Sequence, residues 1–191
     1  MLRALQMNTC LDTRQISILI GLDYFRQFGE NQKLMNVFDE FCEGENKLTK
    51  TIKSFNKRLT ALCEYEKSQI DQKLPYAQQL KLENENMGLC FSAYPTADAN
   101  LFFVVDVDTS YGVKAKLYSV QRGTSGVVRM RKQSFAEHSF TPNQCIFIDE
   151  GTIEQRCVYK GNKRVPVPGE KDYWLKRFHF PQPPATLAVP Q

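Results

Sequence analysis

Apolar positions in the first half of the chain recur at helical spacing. Ile16, Leu19 and Ile20 share one face of a segment over 14–20, for which Thr13 is the expected N-cap. Gly21-Leu22-Asp23 offers a turn, and a short apolar helix through Tyr24, Phe25 and Phe28 is expected to stop at Gly29. Asn31 is the expected cap of the next helix, whose buried stripe would be Leu34, Val37, Phe38 and Phe41, with Gly44 at its end. In the longer helix that follows, Leu48, Ile52, Phe55, Leu59 and Leu62 fall alternately four and three apart, with Lys and Glu on the opposite face. Pro75 opens a last helix that runs toward Met87 and stops at Gly88.

From Asn100 the period changes to two. Val113, Ala115 and Leu117 alternate with Lys114, Lys116 and Tyr118, and Val128 and Met130 alternate with Arg129 and Arg131. The Gly123–Gly126 turn between them predicts a hairpin of 113–120 with 126–132. Leu101–Val107, Cys145–Asp149, Ile153–Tyr159 and Tyr173–Phe178 supply four further strands, and Lys160–Arg164 reads as a basic loop. So many short strands in about 80 residues suggest a small barrel, closed or partly open. The break at Pro95–Asn100 divides the chain into a helical domain, 1–95, and a strand domain, 99–180. The Pro-rich stretch after Phe180 predicts a disordered tail over 181–191. The fold class is α+β: an N-terminal helical domain followed by a small antiparallel β-barrel.

Composition narrows the class. The 191 residues are 42% hydrophobic and 24% charged, which fits a globular chain rather than a fibrous or disordered one. No apolar run nears the roughly 20 residues that span a bilayer, and the N-terminus lacks the apolar core of a secretory signal. A cytoplasmic location with no membrane partner is therefore expected. The six cysteines form no Cys-x-x-Cys pair, and His138 and His179 alone could complete a metal set. They read as reduced, mostly buried thiols rather than a zinc site. Residues 1–95 are charge-balanced, so the net charge of +4 lies in the second half, a bias compatible with a polyanion partner.

Catalytic signals are sparse. Asp106-Val107-Asp108 places two carboxylates on one side of a strand, where they could hold Mg²⁺ in a small metal-dependent nuclease, or simply face water at the strand end. No Gly-x-Ser-x-Gly elbow is present, and Gly123-Thr124-Ser125-Gly126 lacks the lysine and helix of a phosphate loop. The basic strands are more informative. Lys114, Lys116 and Tyr118 share one face, and Arg129 and Arg131 share the neighbouring one. Cations interleaved with an aromatic ring suit single-stranded nucleic acid, although a solvated outer face would look the same. Lys160, Lys163 and Arg164 add basic groups with the same ambiguity, and Tyr173 and Trp174 are either base-stacking rings or core. The helix–Gly-Leu-Asp–helix turn resembles a helix-hairpin-helix, which aims backbone N–H groups at phosphate. Its candidate DNA contacts are Gly21 and Lys33.

Two motifs, in order, extend that likeness. Residues 13–34, with Leu19, Ile20, Phe25, Gly29 and Asn31, resemble the helix-hairpin-helix stretch of the bacterial replicative DNA polymerases of the polymerase III alpha-subunit (C) family. Asp23 stands there for the usual glycine and Arg26 for the usual aspartate. Residues 83–95 are similar to the family's Glu-x-Glu-x-Leu-Gly-x-x-x-Ser-Gly-His-Pro through Glu83, Glu85, Gly88, Ser92 and Pro95, with Tyr94 in place of His. The family continues into an oligonucleotide/oligosaccharide-binding (OB) barrel. The resemblance implies a non-catalytic, bacterial or phage-borne C-terminal fragment that grips primer–template backbone and single-stranded template. It implies no cofactor in this segment, since Mg²⁺ belongs to the absent catalytic palm. The sliding clamp or other replisome subunits become further partners, with Gln69 and Leu74, at the ends of Gln69-Ile70-Asp71-Gln72-Lys73-Leu74, as a clamp-binding candidate and Gln79-Leu80-Lys81-Leu82 as another. A replisome protein-interaction module that touches no DNA is the competing expectation.

Overall fold

The computed structural model describes residues 11–43, 52–161 and 163–182. The protein is α+β, and the chain divides into two compact units, Met1–Asn86 and Met87–Gln191. The division falls ahead of the Pro95–Asn100 break.

In the first unit, α1 spans Thr13–Gly21. Its cap is Asp12 rather than Thr13. Asp12 Oδ1 accepts the Gln15 N–H at 2.8 Å and the Gln15 side chain accepts the Asp12 N–H at 2.9 Å, a reciprocal capping box. A carboxylate at the positive end of the helix dipole serves better there than a hydroxyl. The expected short helix through Tyr24 and Phe28 is only a 3-10 turn, Arg26–Phe28, entered through Asp23 in the left-handed region (φ 62°) and left through Gly29 (φ 142°). Helix α2 spans Asn31–Cys42 and α3 spans Ile52–Ser68; the expected Gly44 stop and Leu48 lie outside the described residues. Leu34 and Phe38 pack with Ile16, Ile20 and Phe25, and Val37 packs with Leu62, so the helical stripe does the work its spacing predicts. Each such side chain contributes roughly 1.5–3 kcal/mol on burial. Helix α4, Tyr76–Met87, begins after Pro75, whose carbonyl accepts the N–H groups of Gln78 and Gln79, and ends at Gly88 with φ 69°.

Asn31 is not a cap. Its buried side chain joins three segments: Nδ2 donates to Gln79 Oε1 of α4 at 2.7 Å and to the Gly21 carbonyl of α1 at 3.4 Å, and Oδ1 accepts the Leu74 N–H at 2.8 Å. Gln79 in turn donates to the wholly buried Glu83 at 3.0 Å. A polar chain satisfied in this way specifies one packing, because leaving any member unpaired in the core is costly.

The second unit holds five strands: β1 (Leu101–Asp108), β2 (Val113–Ser119), β3 (Thr124–Met130), β4 (Cys145–Lys160) and β5 (Lys163–His179), with a short helix α5 (Lys132–Glu137) between β3 and β4. They close in the order β1-β2-β3-β5-β4, and the sheet is mixed rather than antiparallel throughout as expected, because β3 pairs with β5 in parallel while every other pair is antiparallel. Val104, Ala115, Leu117, Val128, Met130, Phe140, Ile146, Leu175 and Phe178 fill the interior.

Three expectations are corrected here. The segments at 145–149 and 153–159 are one strand, and β5 begins at Lys163, well before Tyr173. The reason lies in the tight β4–β5 connection, which is a turn rather than a loop: Lys160 pairs with Lys163, and Gly161 takes the left-handed conformation (φ 63°) that such a turn needs. Strand β3 starts at Thr124, because Ser119 pairs with Thr124 and the turn is complete by Gly123 (φ 68°). Within β4, Gly151 is a packing requirement: a Cβ there would overlap the Tyr173 ring that crosses it. The expected disordered tail lies mostly outside the described residues, which end at Gln182. Among the described residues no helix is long and apolar enough to cross a membrane.

Asn31→Ala should lower helical stability by about 3 kcal/mol, because Gln79 and the Leu74 N–H lose their buried partner. Lys81→Ala, on the exposed side of α4, should stay within about 0.5 kcal/mol. Urea unfolding followed at 222 nm checks both, and an Asn31→Ala midpoint equal to that of Lys81→Ala would remove the claim.

Candidate functional site

The register of the barrel aligns five side chains in one row across its outer face: Asp108 (β1), Lys114 (β2), Arg129 (β3), Trp174 (β5) and Thr152 (β4) are successive Cα partners. Side chains in such a row stand on the same face of the sheet. Two residues from Trp174 on β5, Asp172 comes back to the same face and meets Arg129, Nε to Oδ2 at 2.9 Å, with both side chains largely covered. At the row's other end Lys114 Nζ lies 3.9 Å from Asp108 Oδ2. Asp108 Oδ1 accepts from the Ser110 N–H at 2.9 Å and from Ser110 Oγ at 2.5 Å, which holds the β1–β2 turn. That turn projects Tyr111 into solvent, 93% exposed.

Between this turn and the β4–β5 hairpin lies a groove of about 450 Å³, lined by Tyr111, Arg129, Arg131, Glu154, Asp172 and Trp174. Gln155 sets its far wall. Its Nε2 donates to the Val167 carbonyl and, at 3.1 Å, to the Glu170 carbonyl, holding a bulge where β5 swings out between Pro166 and Lys171. Arg156 pairs with Glu170 beside it. The groove thus combines two aromatic rings, two guanidinium groups and two carboxylates.

The structure brings together only part of the expected site. Arg129 and Arg131 reach the groove, although Arg131 lies beyond β3, as the exposed cap residue of α5. Lys114 is in the adjoining row. Lys116 is exposed farther along β2, opposite Asp106. Tyr118 is buried: the segment before β1 covers it, with the Tyr118 hydroxyl donating to the Ser92 carbonyl at 3.1 Å and the Tyr94 N–H donating to Val120 O at 2.8 Å. It cannot stack on a base. Lys160, Lys163 and Arg164 sit at the tip of the β4–β5 hairpin.

The helical candidates are committed to packing. Gly21 is buried, and a Cβ there would lie 2.9 Å from Leu82 Cδ1, so it admits α4 rather than a phosphate. Lys33 is half-buried on α2. Leu74 is buried with its N–H on Asn31, and Gln69 Oε1 accepts from Asn36 at 3.0 Å, so neither is a free peptide anchor. Gln79 and Leu80 are equally buried.

Among the described residues the reactive groups form no second cluster. Asp108 is occupied by its turn, and among the described residues no three His, Cys, Asp or Glu side chains gather to hold a metal. None of the five described cysteines is fully buried, against expectation: Cys63 is exposed and Cys42, Cys90, Cys145 and Cys157 are half-buried. Desolvation nonetheless pushes the Cys145 thiol up to about 11, which leaves it a poor nucleophile at neutral pH. Tyr111, Glu154 and Asp172 are not among the sequence candidates. An aromatic between Ser110 and Gly112 in a turn is the one sign the sequence offers; Asp172 reaches Arg129 only through the β3–β5 pairing. The chain matches no protein-family model, no curated protein and no solved structure. The likeness in residues 13–34 and 83–95 therefore rests on those motifs alone.

The hydroxyl and then the N–H of Ser110 hold the Asp108 carboxyl below the usual carboxylate range, with Lys114 adding to them. A pKa lowered in the folded state stabilises above the unfolded value and loses that contribution as pH falls through the folded one, here below about pH 4. In an NMR titration Ser110→Ala should move the Asp108 midpoint upward, and Lys114→Met should move it less. An unmoved midpoint in Ser110→Ala would refute the assignment.

Proposed function

We propose that the strand unit is an OB-like barrel that holds single-stranded nucleic acid in the groove beside Trp174, and that the chain is a non-catalytic part of a cytoplasmic replicative polymerase of the resembled family. Three features support this reading. The strand order with one parallel pair and a helix between β3 and β4 agrees with a five-stranded Greek-key barrel, and barrels of that kind take oligonucleotides on the strand 2–3 face between the β1–β2 and β4–β5 loops. The groove lies between those two loops here. Its walls carry Tyr111 and Trp174 around Arg129 and Arg131, which is the observation that carries the proposal: rings for base planes, guanidinium groups for phosphate or base edges.

In this reading the barrel holds and does not cut, and the template strand is the partner. The helical unit contributes neither Gly21 as a phosphate loop nor Leu74 as a clamp anchor.

One observation favours a second reading, a protein-docking face. Val127 is 61% exposed on β3, on the same face as Arg129, and acids stand beside most of the strand cations. A single experiment separates the two. Fluorescence anisotropy with a labelled single-stranded oligonucleotide at low salt should show binding that Trp174→Ala weakens by about tenfold or more, since one stacked base contributes roughly 1–3 kcal/mol. Lys116→Ala, away from the groove, should change it little. No binding by the wild-type protein at low salt would leave the docking reading standing and end the first.

A further inference from the structure

The charges of the groove balance. Arg129 and Arg131 face Glu154 and Asp172, and these two acids are direct Cα partners across β4 and β5. Like charges directly opposite one another in a sheet are destabilising, and two carboxylates in a groove repel a phosphate backbone. Arg129 relieves the first difficulty by taking Asp172 through Nε at 2.9 Å. It relieves the second only in part, because the neutral pair offers a phosphate no net attraction and Glu154 remains in the groove. A groove built to track phosphates would place cations where Glu154 and Asp172 stand.

A carboxylate is acceptor-only, so what it recognises must offer N–H or O–H groups. On a DNA strand, which lacks the 2′-hydroxyl, the donors along the chain are on the bases. Guanine presents N1–H and its 2-amino group side by side, cytosine its 4-amino group and adenine its 6-amino group; thymine and uracil offer one ring N–H and no amino group. The Arg129 guanidinium, with Nε spent on Asp172, keeps its terminal donors for a base acceptor such as guanine O6 or N7. Trp174 and Tyr111 supply the surfaces that hold a base plane in place.

We infer that this groove reads bases through Glu154 and Asp172, prefers strands whose bases carry amino groups, guanine above all, and discriminates against runs of thymine or uracil. The inference rests on the groove being the nucleic-acid site and goes beyond it. Bases face inward, the backbone faces solvent, and few counterions are released on binding.

Competition anisotropy with an alternating dG/dT strand and an oligo(dT) of equal length tests this. The wild-type protein should bind the dG/dT strand about tenfold more tightly, as one good bidentate contact gives, with a salt slope of about one or two. Asp172→Asn and Glu154→Gln should each erode that preference while leaving oligo(dT) binding equal or tighter. Glu154→Gln serves independently of the Arg129 pair, and Trp174 fluorescence shows whether either variant keeps its fold. Equal affinity of the wild-type protein for both strands overturns the inference while the nucleic-acid reading survives. So does a variant that tightens both strands by the same factor, since the acids would then be repulsive only. Failure of either strand to bind at low salt overturns both.

Discussion

The parallel pairing of β3 with β5, at Val128 with Tyr173 and Arg129 with Trp174, is the contact on which both the barrel and its groove depend. Without it the other four pairings describe an open sheet in the order β3-β2-β1-β4-β5, with β3 and β5 as bare edges. Closing it removes those edges and brings Val128 and Met130 against Leu175 and Phe178 in one interior. A parallel pair cannot be made by a tight turn; it needs a long crossover, here α5 and β4. The same crossover delivers Trp174 and Asp172 beside Arg129, so the chemistry of the groove follows from the topology rather than from any local motif.

That origin explains which parts of the molecule are legible in the sequence. The stripes Leu34-Val37-Phe38 and Val113-Ala115-Leu117 announce their elements, because burial of one face imposes its period on neighbouring residues. The Pro75 start and the Gly88 stop of α4 are legible for the same local reason. Strand β4 is harder: Glu150-Gly151-Thr152 interrupts its apolar alternation, because Gly151 yields its side-chain volume to Tyr173, a residue on another strand. Helix α5 is too short to show a period. Arg129 and Arg131 are legible as outward-facing cations, yet Asp172 is invisible as the counterpart of Arg129, since only the closed barrel brings it within 2.9 Å.

The charge pattern changes meaning once these partners are in place. Alternation alone makes β2 and β3 look like a bare basic face. In the fold, Lys114 lies by Asp108, Lys116 stands opposite Asp106, and Arg129 holds Asp172. Solvent screens exposed pairs such as Lys114–Asp108, so stability is a weak reason for keeping them. Their larger effect is on what the surface attracts. A face of balanced donors and acceptors gains little from a uniform polyanion and more from a ligand whose own donors and acceptors alternate.

The helical unit shows the same principle from the opposite side. Gly21, Asn31, Leu74 and Gln79 look functional by motif, as a phosphate-loop glycine, a cap and two clamp-peptide positions. Each is consumed internally: Gly21 by the approach of Leu82, and the others by the hydrogen-bonded chain that runs from Asn31 through Gln79 to the buried Glu83. A buried amide or carboxylate must be satisfied before it can serve anything else, and here three segments distant in sequence satisfy one another. The similarity of residues 83–95 to a polymerase motif has a structural component for this reason. Glu83 closes the polar core and Gly88 ends the helix in the left-handed conformation, two requirements of this packing whether or not DNA is bound. The case for a nucleic-acid role therefore moves from the helical motif to the barrel, where Tyr111, Arg131 and Trp174 face the groove.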